Sequence, residues 1–382
     1  MVVGTRPEVI KMAPVLRALR EQHPALDTRA AFTGQHTTLV ENVAGAFDFS
    51  PDYDLGIMQN NQTIHDVLGA ASRGITEILR SYRPDILLVQ GDTATVFATA
   101  LSGYLEQVPL GHVEAGLRTG DKLSPWPEEG FRRLTDAITD LYFAPTARAG
   151  ALLRAENVPA QAVHVTGNTV VDALMHVTGQ DSPIKNRALR EVMESAPQDQ
   201  RFIFVTAHRR ESFGAPLERI FNAIRRVVEQ NPAVRVIYPV HPNPNVHGAA
   251  HEALESVDRV LLTEPLDYVD TIQVMRRSSL ILTDSGGIQE EAPTFGIPIL
   301  VLRDVTERPE GIEAGVAELV GTDTDRIFSA ATRKLASGPS MTSTNPYGDG
   351  KAGVRIADIV HSFLTGAPRT TTDWASGAAV GS

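Results

Sequence analysis

Short aliphatic or β-branched runs alternate with amphipathic stretches almost from one end of the chain to the other. An uninterrupted apolar run suits a strand covered on both faces, whereas the longer stretches between the runs are of helix length. The alternation predicts parallel sheets made of βαβ units, and the fold class is therefore α/β. Strands in the first half are expected to end at Gly4, Gly34, Gly91, Val113 and Pro145, and those in the second half at His208, His241, Glu264, Asp284 and Arg303. Helices are expected over Thr93–Glu106, Pro216–Gln230, Asp325–Ala336 and Val354–Leu364.

The halves echo each other. "DILLVQGDT…VPLGHVEAG" matches "SLILTDSGG…IPILVLRDV": a buried strand, an Asp turn, a helix, then a strand that follows a proline and ends in an acid. This reads as two doubly wound domains, although any two βα units share part of the pattern. The expected boundaries are 1–166 for the N-terminal domain, joined by a C-terminal helix over 352–365, and 167–351 for the second domain. Thr178–Gln200, with Pro183, Pro197 and mixed charges, is expected to link or decorate the domains. The small, polar, glycine-rich stretch 366–382 is expected to be disordered. "MVVG" is short for a strand, which usually has about five or six residues, so the strand is expected to begin upstream of Met1.

Composition narrows the class. A chain of 382 residues exceeds what one core usually supports, and 42% hydrophobic with 21% charged residues is an ordinary globular balance. The apolar run Ile297–Leu302 is far too short to span a bilayer, and Arg6, Glu8 and Lys11 break any N-terminal signal segment. The absence of cysteine excludes disulfides, Cys-ligated metals and a thiolate nucleophile, and points to the cytoplasm. A net charge of −11, from 35 basic and 46 acidic residues, argues against nucleic acid or an anionic membrane as partner. An anionic ligand would need a local cluster of cations and backbone N–H groups.

In doubly wound folds ligands bind beyond the carboxyl ends of the strands, so the residues just after each strand carry the chemistry. "GTRPEVIK" sets Arg6 at a helix mouth and Lys11 one turn in, an arrangement that suits a phosphate and equally a plain βα turn with surface cations. In "LTDSGGIQEEA", Ser285, Gly286 and Gly287 offer a hydroxyl and close backbone approach to a diphosphate. Glu291 follows on the same helix face about 6 Å further on, where a ribose diol would lie; it could also be an ordinary solvated acid. Asp92 in "VQGDT", Glu114 in "GHVEAGLRTG" and Glu128 in "SPWPEE" form a set of carboxylates of the kind acid–base chemistry needs. Each has a structural alternative: a cap for the helix at Thr93, a pair with Arg118, a bridge to Arg132. His208, followed by Arg209 and Arg210, is a donor for a leaving diphosphate or a buried histidine satisfied by a carbonyl. Arg303 and Arg308 stand at another strand end. No G-x-G-x-x-G string is present, so bound NAD is not indicated. His247 and His251 lack the Glu of a zinc motif and read as a polar helix face; no metal and no cofactor are expected.

Taken together, "GTRPEVIKMAP", "GDT", "GHVEAGLRTGD…SPWPEE", "TGNTVVDAL", "TAHRRESFG", "YPVHPNPNV", "LTDSGGIQEEAP", "RDVTERPEG" and "NPYGDG" resemble the non-hydrolysing UDP-N-acetylglucosamine 2-epimerases over residues 1–364. The resemblance implies two Rossmann-like domains of the GT-B type with the active site in an interdomain cleft, and a homodimer. It implies interconversion of UDP-GlcNAc and UDP-ManNAc through loss and re-addition of UDP, without metal or nicotinamide. Asp92, Glu114, Glu128 and His208 would be catalytic, and Arg6, Lys11, Ser285, Gly286, Gly287, Glu291 and Arg308 would hold UDP. Gln35, His36 and His241 would hold a second UDP-GlcNAc at an allosteric site. There the chain departs from the pattern, with Thr37 and Thr38 where relatives often carry Arg then Gln or Glu, and Asn61 near a loop position that is Arg in some. A GT-B glycosyltransferase would share the "DSGG…EE" string, a hydrolysing relative would release ManNAc and UDP, and a sugar-nucleotide-binding regulator would bind without turnover.

Overall fold

The structure, a computed structural model, describes all residues except 35–42, 44, 60, 61, 181, 339–344 and 376–382. It divides into two compact units, Met1–His176 with Tyr347–Ser376, and Val177–Pro346.

Among its described residues the first unit holds seven parallel strands: β1 (Val2–Val3), β2 (Ala31–Phe32), β3 (Tyr53–Asp54), β4 (Leu87–Gln90), β5 (Leu110–Val113), β6 (Leu141–Ala144) and β7 (Val163–Val165). They are ordered β1-β2-β3 and β4-β5-β6-β7, with β1 lying beside β4. The winding direction therefore reverses between β1 and β4, the place where a doubly wound sheet opens a crevice. Both helices that start there have threonine caps. The Thr5 hydroxyl accepts from Glu8 N at the head of Arg6–Gln22, and the Thr93 hydroxyl accepts from Val96 N at the head of Ala94–Leu105. Val2, Ile75, Leu79, Leu87, Val89 and Leu110 form the core beneath, each contributing about 1.5–3 kcal/mol by burial.

The chain returns to this unit at its end. The helix Ala352–Thr365 packs on Arg6–Gln22, and its free N–H groups at Ala352 and Gly353 donate to Asp172 at 3.1 and 2.8 Å. Residues 366–375, expected to be disordered, are instead packed. Asp358 accepts from the backbone of Thr370 and Thr371 at 2.9 and 2.7 Å. Trp374 is buried, and its N–H donates to Val165 O at 2.7 Å along the open edge of β7. One tryptophan and one unpaired strand edge supply the anchor that small residues alone lack. Residues 376–382 lie outside the described residues.

The second unit is one parallel sheet ordered β10-β9-β8-β11-β12-β13, made of β8 (Arg201–Thr206), β9 (Val234–Pro239), β10 (Val260–Thr263), β11 (Ser278–Thr283), β12 (Ile299–Val301) and β13 (Ala317–Leu319). Its order reverses between β8 and β11, where Thr206 stands opposite Thr283. Ile203, Val205, Leu280, Leu282 and Leu300 are packed against the helices Ala215–Gln230 and Thr324–Ser337. The stretch Thr178–Gln200 is more ordered than its composition suggests. A helix, Arg187–Glu194, is capped by Asn186 and buries Leu189 and Met193, while Asp270 accepts from the N–H groups of Lys185 and Asn186 at 2.8 Å each.

Candidate active site

At the switch point of the first unit, β4 ends in the turn Gly91-Asp92-Thr93. Gly91 has φ +85°, which a side chain would strain. Thr93 rather than Asp92 caps the following helix, so the Asp92 carboxylate is not used as a cap. It pairs with Arg132, whose other nitrogen donates to Glu129 at 2.7 Å. Arg132 thus bonds Glu129 and Asp92, not Glu128. Of the two acids in "PWPEE", Glu129 is the buried structural one, also accepting from Thr119 N and Arg133, and Glu128 opens the helix Glu128–Asp136 half-buried.

Glu114 follows β5 with φ +69°, a left-handed conformation that costs a non-glycine residue on the order of 1 kcal/mol and is typical of functional turns. Its carboxylate takes the Lys11 ammonium at 2.6 Å and the Gln90 amide at 2.5 Å. The alternative pair with Arg118 does not form, because that guanidinium is held by Asp136 and Glu156. Lys11 and Glu114 are both largely buried, so each charge compensates the other. Arg6 stands at the first position of its helix.

Glu8 belongs to this cluster and was not visible as a functional residue in the sequence. Its carboxyl group, 2% exposed, accepts from Gly4 N at 2.6 Å, the Thr5 hydroxyl at 3.0 Å and the Thr93 hydroxyl at 2.8 Å. It therefore clamps the caps of the two helices on either side of the switch point. Burial pushes it up to about 7, against those three hydrogen bonds and with a smaller contribution from the Asp92 charge. The capping spacing Thr5-x-x-Glu8 is a signal that would have flagged it.

In the second unit the corresponding place is built on Asp284, directly after β11 and fully buried. One oxygen accepts from the N–H groups of His208 and Arg209 at 2.6 and 2.8 Å, and the other lies 3.3 Å from the His208 Nδ1. The His208 ring stacks on that of His241, with centroids 5.3 Å apart and planes 8° from parallel. Burial, and then the neighbouring His208, hold His241 below the ordinary histidine value, with Asp284 opposing. His241, expected at a second site, thus shares the strand-end face of His208. Gln35, His36 and Asn61 lie outside the described residues.

Ser285 precedes the short helix Gly286–Glu291. The Arg308 guanidinium lies so close to Gly286 that an added Cβ would come within 3.1 Å of its Cζ. Arg308 is oriented by Glu290 at 2.9 Å, and Glu307 pairs with Arg303 at 2.7 Å. Burial pushes Glu307 up, but Arg303 and Arg308 outweigh it and bring it down to about 2. Glu291 is buried at the end of its helix, not solvated. Among the described residues no group of three or more His, Asp or Glu side chains is arranged to hold a metal ion.

Carboxylates gather at the switch point of the first unit, and a glycine turn with histidine and arginine stands at that of the second; in an α/β protein each is the strand-end face that carries the chemistry. Comparison gives the family. Residues 17–361 match the model of the UDP-N-acetylglucosamine 2-epimerase family, and the chain belongs to that family of isomerases. It is 46% identical to the UDP-N-acetylglucosamine 2-epimerase of Bacillus subtilis, over 94% of this chain and 93% of the relative. With the Salmonella typhimurium enzyme it shares 44% identity, over 95% and 98% of the two chains. Among solved structures, the Neisseria meningitidis UDP-GlcNAc 2-epimerase bound to UDP-GlcNAc is similar with a TM-score of 0.85 and 39% identity, over 96% of this chain and 99% of that one. The expected fold class, α/β with open parallel sheets, is the observed one.

Proposed function

We propose that the protein interconverts UDP-GlcNAc and UDP-ManNAc by eliminating and re-adding UDP. The carrying observation is Asp92 and Glu114 beside the β1–β4 switch point, with Glu128 opening the helix whose Arg132 bonds Asp92, in a chain 39% identical to a relative that binds UDP-GlcNAc. C2 of the sugar is not next to a carbonyl, so its proton is too weakly acidic to leave alone. In the proposed reaction a carboxylate takes that proton, the C2–H electrons form the C1=C2 bond, and the C1–O bond electrons leave with UDP. The products of this half are 2-acetamidoglucal and UDP. A diphosphate oxygen then re-adds to C1 as a proton is delivered to the opposite face of C2. Asp92, Glu114 and Glu128 share the base, acid and positioning roles. His208, held by Asp284, donates to the departing diphosphate, and Ser285, Gly286, Gly287, Glu291 and Arg308, with Arg6 and Lys11, hold UDP.

Because proton chemistry and hydride chemistry leave different labels, deuterated water tests the reading. The enzyme with UDP-GlcNAc alone is expected to yield UDP-ManNAc carrying one deuterium at C2 by NMR, with no free UDP accumulating. Epimerisation that keeps the original C2 hydrogen, or steady release of ManNAc and UDP, overturns it. We further propose a cytoplasmic homodimer. It is supported by Tyr104, Leu105 and Leu134, exposed on two adjacent helices; light scattering of wild type and Leu105→Glu tests it. No described helix is long and apolar enough to cross a membrane.

A further inference from the structure

Beneath the carboxylate turns of the first unit lies a buried network of charges. His112, on β5, is 0% exposed. Its Nδ1 lies 2.7 Å from Asp136 Oδ1 and its Nε2 lies 2.8 Å from the carbonyl oxygen of Gly91. A carbonyl can only accept a hydrogen bond, and so can a carboxylate, so both contacts are satisfied only when both ring nitrogens carry hydrogen. The ring is then an imidazolium. Asp136 is equipped to face it: Oδ2 accepts from Gly116 N at 3.2 Å and from Arg118 at 2.8 Å. Burial pushes the Asp136 carboxyl up, but His112 and Arg118 outweigh it and hold it below the usual carboxylate range. Arg118 in turn takes Glu156 at 2.7 Å. Two cations and two anions therefore alternate, and neither buried cation is left uncompensated.

Each arm of this network leads to a different carboxylate of the candidate site. His112 fixes the carbonyl of Gly91, the residue before Asp92. Gly116 and Arg118 belong to the turn that begins with Glu114. Asp136 itself closes the helix that Glu128 opens. The three turns come from β4, β5 and the Glu128 helix, and Asp136 with its His112 partner is a single point at which all three are joined. We infer that the buried His112–Asp136 pair is the positioning device that holds Asp92, Glu114 and Glu128 in one register. The inference rests on the proposed reaction, in which those carboxylates act on one sugar. Both side chains are buried away from solvent. Their effect is on placement, where an error near 1 Å costs about 100-fold in rate.

The test has two arms on the full chain. In Asp136→Asn, the amide can no longer accept from both His112 and Arg118 as a charge. Turnover of UDP-GlcNAc should fall about 100-fold in kcat, with a much smaller change in KM and in the UDP dissociation constant, since of the proposed UDP contacts only Lys11 is bonded to a carboxylate the network positions and Ser285, Gly286, Gly287, Glu291 and Arg308 belong to the other unit; Asp136→Glu should restore part of kcat. The second arm needs no variant: ¹⁵N NMR of the His112 ring in the folded wild type should show both nitrogens protonated at the pH of the assay. A neutral ring in the wild type overturns the inference, as does Asp136→Asn with undiminished kcat. If Asp136→Asn does not fold, the wild-type spectrum still decides. Absence of C2 exchange in the wild type would instead sink the epimerase reading, leaving the ring's protonation to be judged by itself.

Discussion

In the proposed reaction single residues carry the proton chemistry, and their surroundings set what each does. Glu114→Gln keeps the size of the side chain but removes the charge that Lys11 faces and any capacity to take a proton. It should lower kcat by about 10²–10⁴-fold in the deuterium-exchange assay, with a far smaller change in UDP affinity read by calorimetry. Glu8 makes a pH-dependent contribution to stability. Its native value near 7 stands above the ordinary 4.5, so the folded state holds the proton more tightly than the unfolded chain. That stabilisation is complete below about pH 4.5 and is lost as pH rises through 7, amounting to about 3 kcal/mol. Glu8→Gln, measured by urea denaturation between pH 4.5 and 7.5, should flatten this part of the profile; a slope equal to wild type would show that Glu8 does not titrate there. The places of Asp92, Glu114 and Glu128 were legible because each sits just after a strand or at the start of a helix, where the fold rule points. Glu8, Asp136 and Asp284 were not, since their meaning comes from partners as far as 85 residues away in sequence.

Elements follow the hydrophobic pattern wherever a strand is long enough to show one. The expected ends at Gly91, Val113 and Asp284 fall within one residue of the observed β4, β5 and β11. Strands of two or three residues were expected only where they are apolar throughout, as β1, β2 and β12 are, whereas β3, β7 and β13 contain Asp54, His164 and Glu318 and gave no apolar run. The packed segment 366–375 was hidden for a similar reason: one tryptophan and one aspartate against β7 outweigh a composition that otherwise suggests disorder. Packing between elements also makes two glycines informative. A Cβ on Gly353 would come within 2.7 Å of the Pro14 carbonyl oxygen, where the C-terminal helix meets Arg6–Gln22, and backbone on both sides cannot yield cheaply. Gly353→Ala should therefore destabilise by about 1–3 kcal/mol, seen as a lower thermal midpoint, and an unchanged midpoint would show that the helices separate freely. At Gly286 the nearest atoms belong to the Arg308 guanidinium instead. Gly286→Ala should leave the thermal midpoint nearly unchanged while weakening UDP binding about tenfold or more, since a displaced guanidinium loses a charge-assisted contact.

For the whole molecule, control of turnover depends on whether a second substrate molecule finds a site. Thr37 and Thr38 follow "QH", and Asn61 stands near the loop position that is Arg in some members of the resembling family. A guanidinium offers a planar, bidentate contact to a diphosphate that threonine or asparagine cannot reproduce. Retention of His241 does not argue for such a site, because its ring is already engaged by stacking on His208. The same stacking means that a substitution at His241 would disturb His208, a residue of the proposed reaction, and could not separate regulation from chemistry. Kinetics of the unaltered protein can. A ligand that binds the active and inactive forms equally shifts neither, so turnover here should be independent of a second UDP-GlcNAc. With UDP-ManNAc as the sole substrate, product should appear linearly from the first seconds, and micromolar UDP-GlcNAc added at the start should leave the rate unchanged. A lag that such traces abolish would show instead that an activating site persists without the arginines, and that His241 serves both it and the catalytic face.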